Sequence, residues 1–337
     1  MSKIETPLSW IGGKNRLKRK LVTMFPPHDI YVEPFLGAGH LLFWKKPSKQ
    51  EWVCDVDDVL INLWKVIRSP ELHEKFVSFL TFHPKSRALF YEYREALSNP
   101  EAYKDITPYI RAAMAYYLIK SSFGTMRLFT GEEVWGSTLG TDKMTGFYGV
   151  DWRGIFERLK DVIIENRDFR EFLKIVNKKA TKKTKNRRVF AYCDPPYFCV
   201  TKHPVACYAN DFTMSDHEEL AGILRKFKGY WMLSIDDCEE ARELYKGFTI
   251  REVPTVYTSE NVFTEGKRVT ELVIGNYDIP EGVMQHDLFI DKPVEATDPE
   301  FETLMKEGPK PMTKEGLTVE ESVKKGMKRK RKGKRNG

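Results

Sequence analysis

The chain has 337 residues, 41% hydrophobic and 13% aromatic, enough for one large packed domain or two modest ones. Its net charge of +7 is uneven: residues 324–337 carry nine Lys or Arg and no acid, leaving −2 elsewhere, so the body is near neutral and the excess is a tail. No apolar run reaches the ~18 residues of a membrane span, the N-terminus MSKIETPLSWIGGK does not read as a secretory leader, and the five cysteines lack the CxxC or Cys/His pairs of a metal site.

Along the chain, DIYVEPF (29–35) reads as a strand running into the glycine turn LGAG, and HLLFWKK as a helix start. EWVCDVDD (51–58) reads as a second strand ending in acids, followed by an amphipathic helix to Arg68. Residues 71–165 change character. HEKFVSFLTF, ALFYEYREAL and TPYIRAAMAYYLIKSSF read as aromatic-rich helices, then comes a polar, glycine-dotted stretch, then the helix DWRGIFERLKDV. VIIENRDF is a strand ending near Asp168, with a helix at 170–177 and a Lys-rich turn after it. RRVFAYCD is a strand, SDHEELAGILRKF a helix expected to be capped by Ser215, and YWMLSIDD a strand. TIREVPTVYTS and RVTELVIGNY read as an antiparallel pair, and hydrophobicity falls beyond Tyr277. Strands alternate with helices at both ends of a helical stretch, which predicts a doubly wound α/β sheet interrupted by a second domain. Cys54 and Cys193, each before an aspartate at a strand end, read as small buried residues of a reducing compartment.

Two of these strand ends carry chemistry. Open α/β sheets bind ligands beyond the carboxyl ends of their strands. In EPFLGAG, Gly37 and Gly39 let backbone approach a ligand with no Cβ in the way. Asp55 ends the next strand, where such folds place an acid on ribose hydroxyls. The full dinucleotide fingerprint would need a third small residue where Leu42 stands. The turn therefore favours a nucleoside ligand with one charged arm over a nicotinamide dinucleotide and its oxidoreductases. The second strand end is Asp194-Pro195-Pro196-Tyr197. An ordinary β-turn is the plain reading of such a tetrapeptide. The chemical reading is that the Asp194 carboxylate and the Pro195 carbonyl are acceptors only, the two prolines stiffen the turn, and Tyr197 offers a flat face for stacking. Two acceptors beside an aromatic face suit an exocyclic amine such as N6 of adenine. Holding both N–H groups would localise its lone pair for attack on a sulfonium methyl, and the carboxylate would stabilise the charge that builds on nitrogen.

With SWIGGK, VEPFLGAG, CDVDD, NRDF, CDPPY and RVTELVIGNY in this order over residues 7–277, the chain resembles adenine-specific DNA N6-methyltransferases of the Dam type (D12 class, alpha group). The resemblance implies a Rossmann-like S-adenosylmethionine-dependent methyltransferase sheet with an inserted, mainly helical target-recognition domain. Residues 1–70 and 160–280 would form the catalytic domain, 71–159 the insertion, and 281–337 a loosely ordered extension with a basic tail. Trp10 and Lys14, which alone would read as core and surface, match the N-terminal cofactor motif; Lys14 would pair with the cofactor carboxylate. Glu33, Phe35, Gly37 and Gly39 would hold the methionyl end, with Glu33 on its ammonium, and Asp55 the ribose. Asp168 would accept from the cofactor adenine amine and Phe169 donate its N–H, although Asp168 also reads as a helix N-cap. Asp194, Pro195, Pro196 and Tyr197 would form the catalytic turn, with Asp194 also bordering the cofactor.

A base inside a duplex must be flipped out to reach such a pocket. Arg127, Tyr208 and Phe212 are the candidate nucleic-acid contacts, although Phe212 could equally pack on the following helix. The target-reading stretch IKSSFGTMRLF departs from the family pattern, so no recognition sequence is implied. The implied partner is double-stranded DNA, in a cytoplasmic, nucleoid-associated monomer or weak dimer without metal or membrane; a cognate restriction endonuclease is a candidate partner. The competing readings are the same chemistry on RNA adenine or on cytosine N4 of DNA, and a non-enzymatic DNA-binding protein.

Overall fold

The computed structural model describes residues 4–8, 13–81, 83–84, 86–98, 104–123, 138–139, 149–183, 188–198, 212–257 and 267–282. They all belong to one compact unit, Met1–Gln285. Strand β1 (Ile30–Glu33) is buried at every position, and so is β6 (Val189–Cys193). Such unbroken burial is what a central parallel strand needs when helices cover both faces. By contrast β5 (Ile163–Asn166) is exposed at both ends and lies at a sheet edge.

The main sheet has seven strands. With β2 (Gln50–Asp55), β7 (Tyr230–Asp236), β8 (Thr249–Tyr257) and β9 (Lys267–Gly275), the order is β5-β2-β1-β6-β7-β9-β8. The first five pair in parallel, whereas β9 runs antiparallel to both β7 and β8. The chain builds outward from β1 through β2 to β5, then returns to lay β6 on the other side of β1. Between β1 and β6 the winding reverses, and such a switch point opens a crevice at the carboxyl ends of its strands.

Side chains alternate between two cores, as strand geometry requires. Tyr31, Val53, Ile164, Phe190, Tyr192 and Met232 join the core under α1 (Lys18–Thr23), α2 (His40–Trp44) and α3 (Asp58–Arg68). Ile30, Val32, Cys54, Val189, Ala191, Cys193 and Leu233 face the opposite core, under α8 (Phe169–Lys183), α9 (Met214–Arg225) and α10 (Glu239–Leu244). Each large apolar side chain buried this way contributes roughly 1.5–3 kcal/mol. Cys54 and Cys193 are buried free thiols.

Between β2 and β5 stand α4 (Pro70–Thr81), α5 (Arg87–Ser98), α6 (Pro108–Ser121) and α7 (Trp152–Leu159), with a small antiparallel pair, β3 (Ser122–Phe123) and β4 (Thr138–Leu139). Helix α6 buries Ala112, Ala113, Ala115, Tyr116, Tyr117, Leu118 and Ile119, so it is apolar nearly all round and central to this group. These helices share the core of α3. Asn62 donates to the Pro108 carbonyl at 3.0 Å, and Trp152 meets both Phe76 and Tyr116 edge to face at 5.0 Å.

Some helix N-termini are capped by side chains, with one correction to the sequence expectation. Asp57 caps α3 by accepting from Leu60 N at 2.9 Å. Helix α9 is capped by Thr213, not by Ser215. Thr213 Oγ1 accepts from Asp216 N at 3.3 Å while the Asp216 carboxylate accepts from Thr213 N at 2.6 Å. This reciprocal box satisfies two orphan donors at once, which a lone serine two residues later cannot do.

Candidate active site

The turn after β1 is built for close approach. Gly37 and Gly39 have φ of 49° and 68°, a region that other residues rarely adopt. Leu36 N donates to the Cys54 carbonyl at 2.9 Å and Gly39 N to the Leu36 carbonyl at 2.8 Å, so the turn closes on itself and on β2. Asp55, the last residue of β2, accepts from Gly37 N at 2.8 Å and from Asp57 N at 3.1 Å. Its carboxylate thus bridges the glycine turn and the start of α3. Burial raises the Asp55 carboxyl above the usual aspartate range despite those backbone donors. Trp64 Nε1 donates to the Gly37 carbonyl at 3.1 Å and fixes the turn from behind.

Glu33 ends β1 and is 3% exposed. It lies two residues from Tyr31, on the same face of the strand, and accepts its hydroxyl at 2.9 Å. Burial pushes the Glu33 carboxyl up to about 8 in spite of that hydrogen bond, and the Asp194 charge pushes the same way. Desolvation disfavours the charged carboxylate, and a cation beside it would favour that form again.

Asp194 follows β6 directly, across the switch point from Glu33. Its carboxylate is 19% exposed and pairs with Lys14 Nζ at 2.7 Å. Ser234 Oγ donates to the same carboxylate at 3.0 Å and is linked to Tyr192 Oη at 2.6 Å. Burial holds the Asp194 carboxyl above its ordinary range, with the Lys14 ammonium pulling it back part of the way. Lys14 Nζ also stands 4.0 Å from Glu271 of β9 and 4.7 Å from the centre of the Tyr197 ring. At the far end of the turn, Phe198 N donates to Asp236 Oδ1 at 2.8 Å, which ties the turn to the end of β7.

A third group stands after β5. Asp168 accepts from Arg170 N at 2.8 Å, the geometry of a helix N-cap, and pairs with the Arg170 guanidinium at 2.9 Å. Arg170 reaches on to Asp216 and Glu219 of α9 and covers the Phe169 ring at 4.5 Å. Phe35, Phe169 and Phe212 form a ring cluster with centroids 5.3–6.0 Å apart. Phe212, for which base contact and packing on the following helix were both expected, packs here beside Phe35 and Phe169 and against His217 of that helix.

The fold therefore brings Glu33, Phe35, Gly37, Gly39, Asp55, Asp168, Phe169 and Asp194–Tyr197 to the carboxyl ends of β1, β2, β5 and β6. Trp10, Arg127 and Tyr208 lie outside the described residues. Sequence reasoning missed Ser234, Asp236 and Glu271. Glu271, 1% exposed within the apolar run TELVIG, carried a legible signal, since a charge in such a strand needs a buried partner. Among the described residues no cluster of His, Cys, Asp and Glu could hold a metal, and no helix is long and apolar enough to cross a membrane.

The family model for D12 class N6 adenine-specific DNA methyltransferases matches residues 10–259. The chain belongs to this family. The methyltransferase is 25% identical over 278 residues to the type II methyltransferase M1.LlaDCHI of Lactococcus lactis subsp. cremoris, covering 80% of this chain and 94% of that one. It is 25% identical to the type II methyltransferase M.CviBI of Paramecium bursaria Chlorella virus NC1A, covering 80% and 98%. The DNA adenine methylase of Serratia marcescens is 23% identical, covering 81% and 98%. The enzyme methylates adenine in DNA; the RNA-adenine and cytosine-N4 readings are not favoured.

Proposed function

We propose that this methyltransferase takes its methyl group from S-adenosylmethionine and delivers it to N6 of an adenine turned out of a DNA duplex into the crevice beside Asp194. The observation that carries this reading is the position of Asp194 at the switch point, beside Glu33 and held by Lys14 and Ser234. The donor set fits the cofactor. Glu33, buried and poorly solvated, would seat the ammonium. The Cβ-free turn at Gly37 and Gly39 would admit the methionyl arm, Asp55 would take the ribose hydroxyls, and Asp168 with the Phe35–Phe169–Phe212 rings would border the adenine. Bound there, the cofactor supplies an electrophilic methyl on a cationic sulfur.

The rest of the chemistry belongs to this chain. The Asp194 carboxylate and the Pro195 carbonyl accept the two N6 hydrogens, and Tyr197 stacks on the base. With both N–H bonds engaged, the amine lone pair localises and attacks the methyl in line. With the cofactor held by these residues, a C–N bond would form as its C–S bond broke, and the nitrogen would shed a proton to Asp194 or, through it, to solvent. The carboxylate opposes the positive charge that grows on nitrogen. Residues 71–159, inserted between β2 and β5, would read the target sequence. Arg127 and Tyr208 would contact DNA, and the basic 324–337 tail would add sequence-independent attraction to phosphates. A monomer or weak dimer, in the cytoplasm with its DNA, with or without a restriction endonuclease, completes the reading.

The test uses the full chain, methyl-labelled S-adenosylmethionine and duplex DNA. Label should appear on adenine N6, and Asp194→Ala should lower the single-turnover rate by at least about 10²–10³-fold while leaving cofactor affinity within a few-fold. An Asp194→Ala enzyme that still methylates at the wild-type rate would overturn the assignment.

A further inference from the structure

The turn after β6 does not end at Tyr197. Phe198, which follows, is fully buried and lies flat on His217 of α9, with ring centroids 3.8 Å apart and planes 13° apart. His217 is itself 0% exposed, and among the described residues neither ring nitrogen has a hydrogen-bond partner. Burial lowers its pKa to about 4, so the ring is neutral at ordinary pH. A buried polar atom without a partner costs stability. The nitrogens therefore do not explain why a flat ring stands here; its faces and edge do. While one face covers Phe198, the ring meets Phe212 edge to face at 4.7 Å and 78°. Phe212 continues to Phe169 at 5.7 Å and to Phe35 at 6.0 Å. An unbroken file of rings thus runs from the glycine turn after β1 to the turn that carries Asp194.

We propose that His217 is a positioning residue: held between Phe212 and Phe198, its ring sets the Asp194–Tyr197 turn against the aromatic cluster beside the cofactor seat. The proposal rests on the catalytic reading of Asp194 given above. Asp236 fixes the backbone of Phe198 and His217 fixes its ring, so the residue after Tyr197 is clamped at two points. The prolines stiffen the turn, but they do not orient it relative to the cofactor, whereas a ring that touches both sides does. The role lies in the ring face and not in proton transfer, because both nitrogens are buried and have no polar partner among the described residues.

The test compares the wild-type chain with His217→Phe and His217→Leu, measuring single-turnover methylation, cofactor affinity and KM for duplex DNA. His217→Leu should slow methyl transfer about tenfold to a hundredfold, the effect of a small misplacement of a reacting group, with KM for DNA within about twofold. His217→Phe keeps a flat ring and should stay within about threefold of wild type. Should His217→Leu not fold, Phe198→Leu removes the same contact from the other side and carries the same expected loss. Wild-type rates in the leucine variants, or a phenylalanine variant as slow as His217→Leu, overturn the proposal. A wild-type chain that places no label on adenine N6 overturns instead the catalytic reading on which it rests.

Discussion

The turns after β1 and β6 are neighbours at the switch point, but they are held in opposite ways. The glycine turn is held mainly through its own backbone. Its shape comes from positive φ at Gly37 and Gly39, from backbone hydrogen bonds to Leu36 and Cys54, and from Asp55 on the next strand. The proline turn has neither Pro195 N–H nor Pro196 N–H to offer, so it makes few backbone bonds of its own. It is aimed from outside by Lys14, by Ser234 and Asp236 of β7, and by His217 under Phe198. A binding surface needs only backbone free to approach, whereas acceptors that must meet a particular amine need orientation from several elements. A substitution beside the first turn should therefore act on binding, and one beside the second on the chemical step.

Lys14→Met should break this comparison most severely. Removing one member of a buried pair costs ~3–5 kcal/mol if the remaining charge stays in place, and Asp194 can escape that cost by taking up a proton. Lys14 draws the Asp194 carboxyl down against the burial that raises it, so its loss lets the carboxyl rise further. In the proposed mechanism activity needs the carboxylate and fails as pH falls through its folded pKa. In Lys14→Met the acid limb of the pH–rate profile should therefore move to higher pH. The same variant weighs the expectation that Lys14 holds the cofactor carboxylate, since that role would appear as weaker cofactor binding with an unmoved acid limb.

Gly37→Val should act on the other turn. A Cβ at φ 49° costs ~1–2 kcal/mol, and a branched side chain fills the surface left for a ligand. Calorimetric binding should show cofactor affinity lowered by about tenfold or more, with a smaller change in the single-turnover rate at saturating cofactor. The smallest effect is expected for Ser234→Ala, which removes the hydrogen bond to Asp194 at 3.0 Å. The loss is about 1 kcal/mol, roughly fivefold in rate, and should appear in kcat with KM for DNA unchanged.

Much of the frame was legible because its signals are local. A buried central strand is a largely apolar run, so IYV, ahead of Glu33, and VFAYC announced β1 and β6. The glycines, Asp55 and Asp168 belong to turns a few residues from the strands that carry them. The cap of α9 was misread because Ser215 and Thr213 are both good N-caps, and only the reciprocal bond from Asp216 selects Thr213. For Phe212 the sequence left base contact and packing on the following helix both open, and its ring lies among Phe35, Phe169 and His217 of that helix.

The amino-acid order alone determined the sheet's alternation of strands and helices, the backbone freedom of Gly37 and Gly39, and the acceptor-only chemistry of Asp194 and Pro195. These follow from properties that each residue carries in itself or shares with near neighbours. Only the tertiary structure decided that Lys14 neutralises Asp194, that Ser234 and Asp236 hold the two ends of the proline turn, and that His217 covers Phe198. Those partners lie far apart along the chain. They meet because β6 is laid between β1 and β7, and a proline turn without its own donors takes its orientation from whatever the sheet brings beside it.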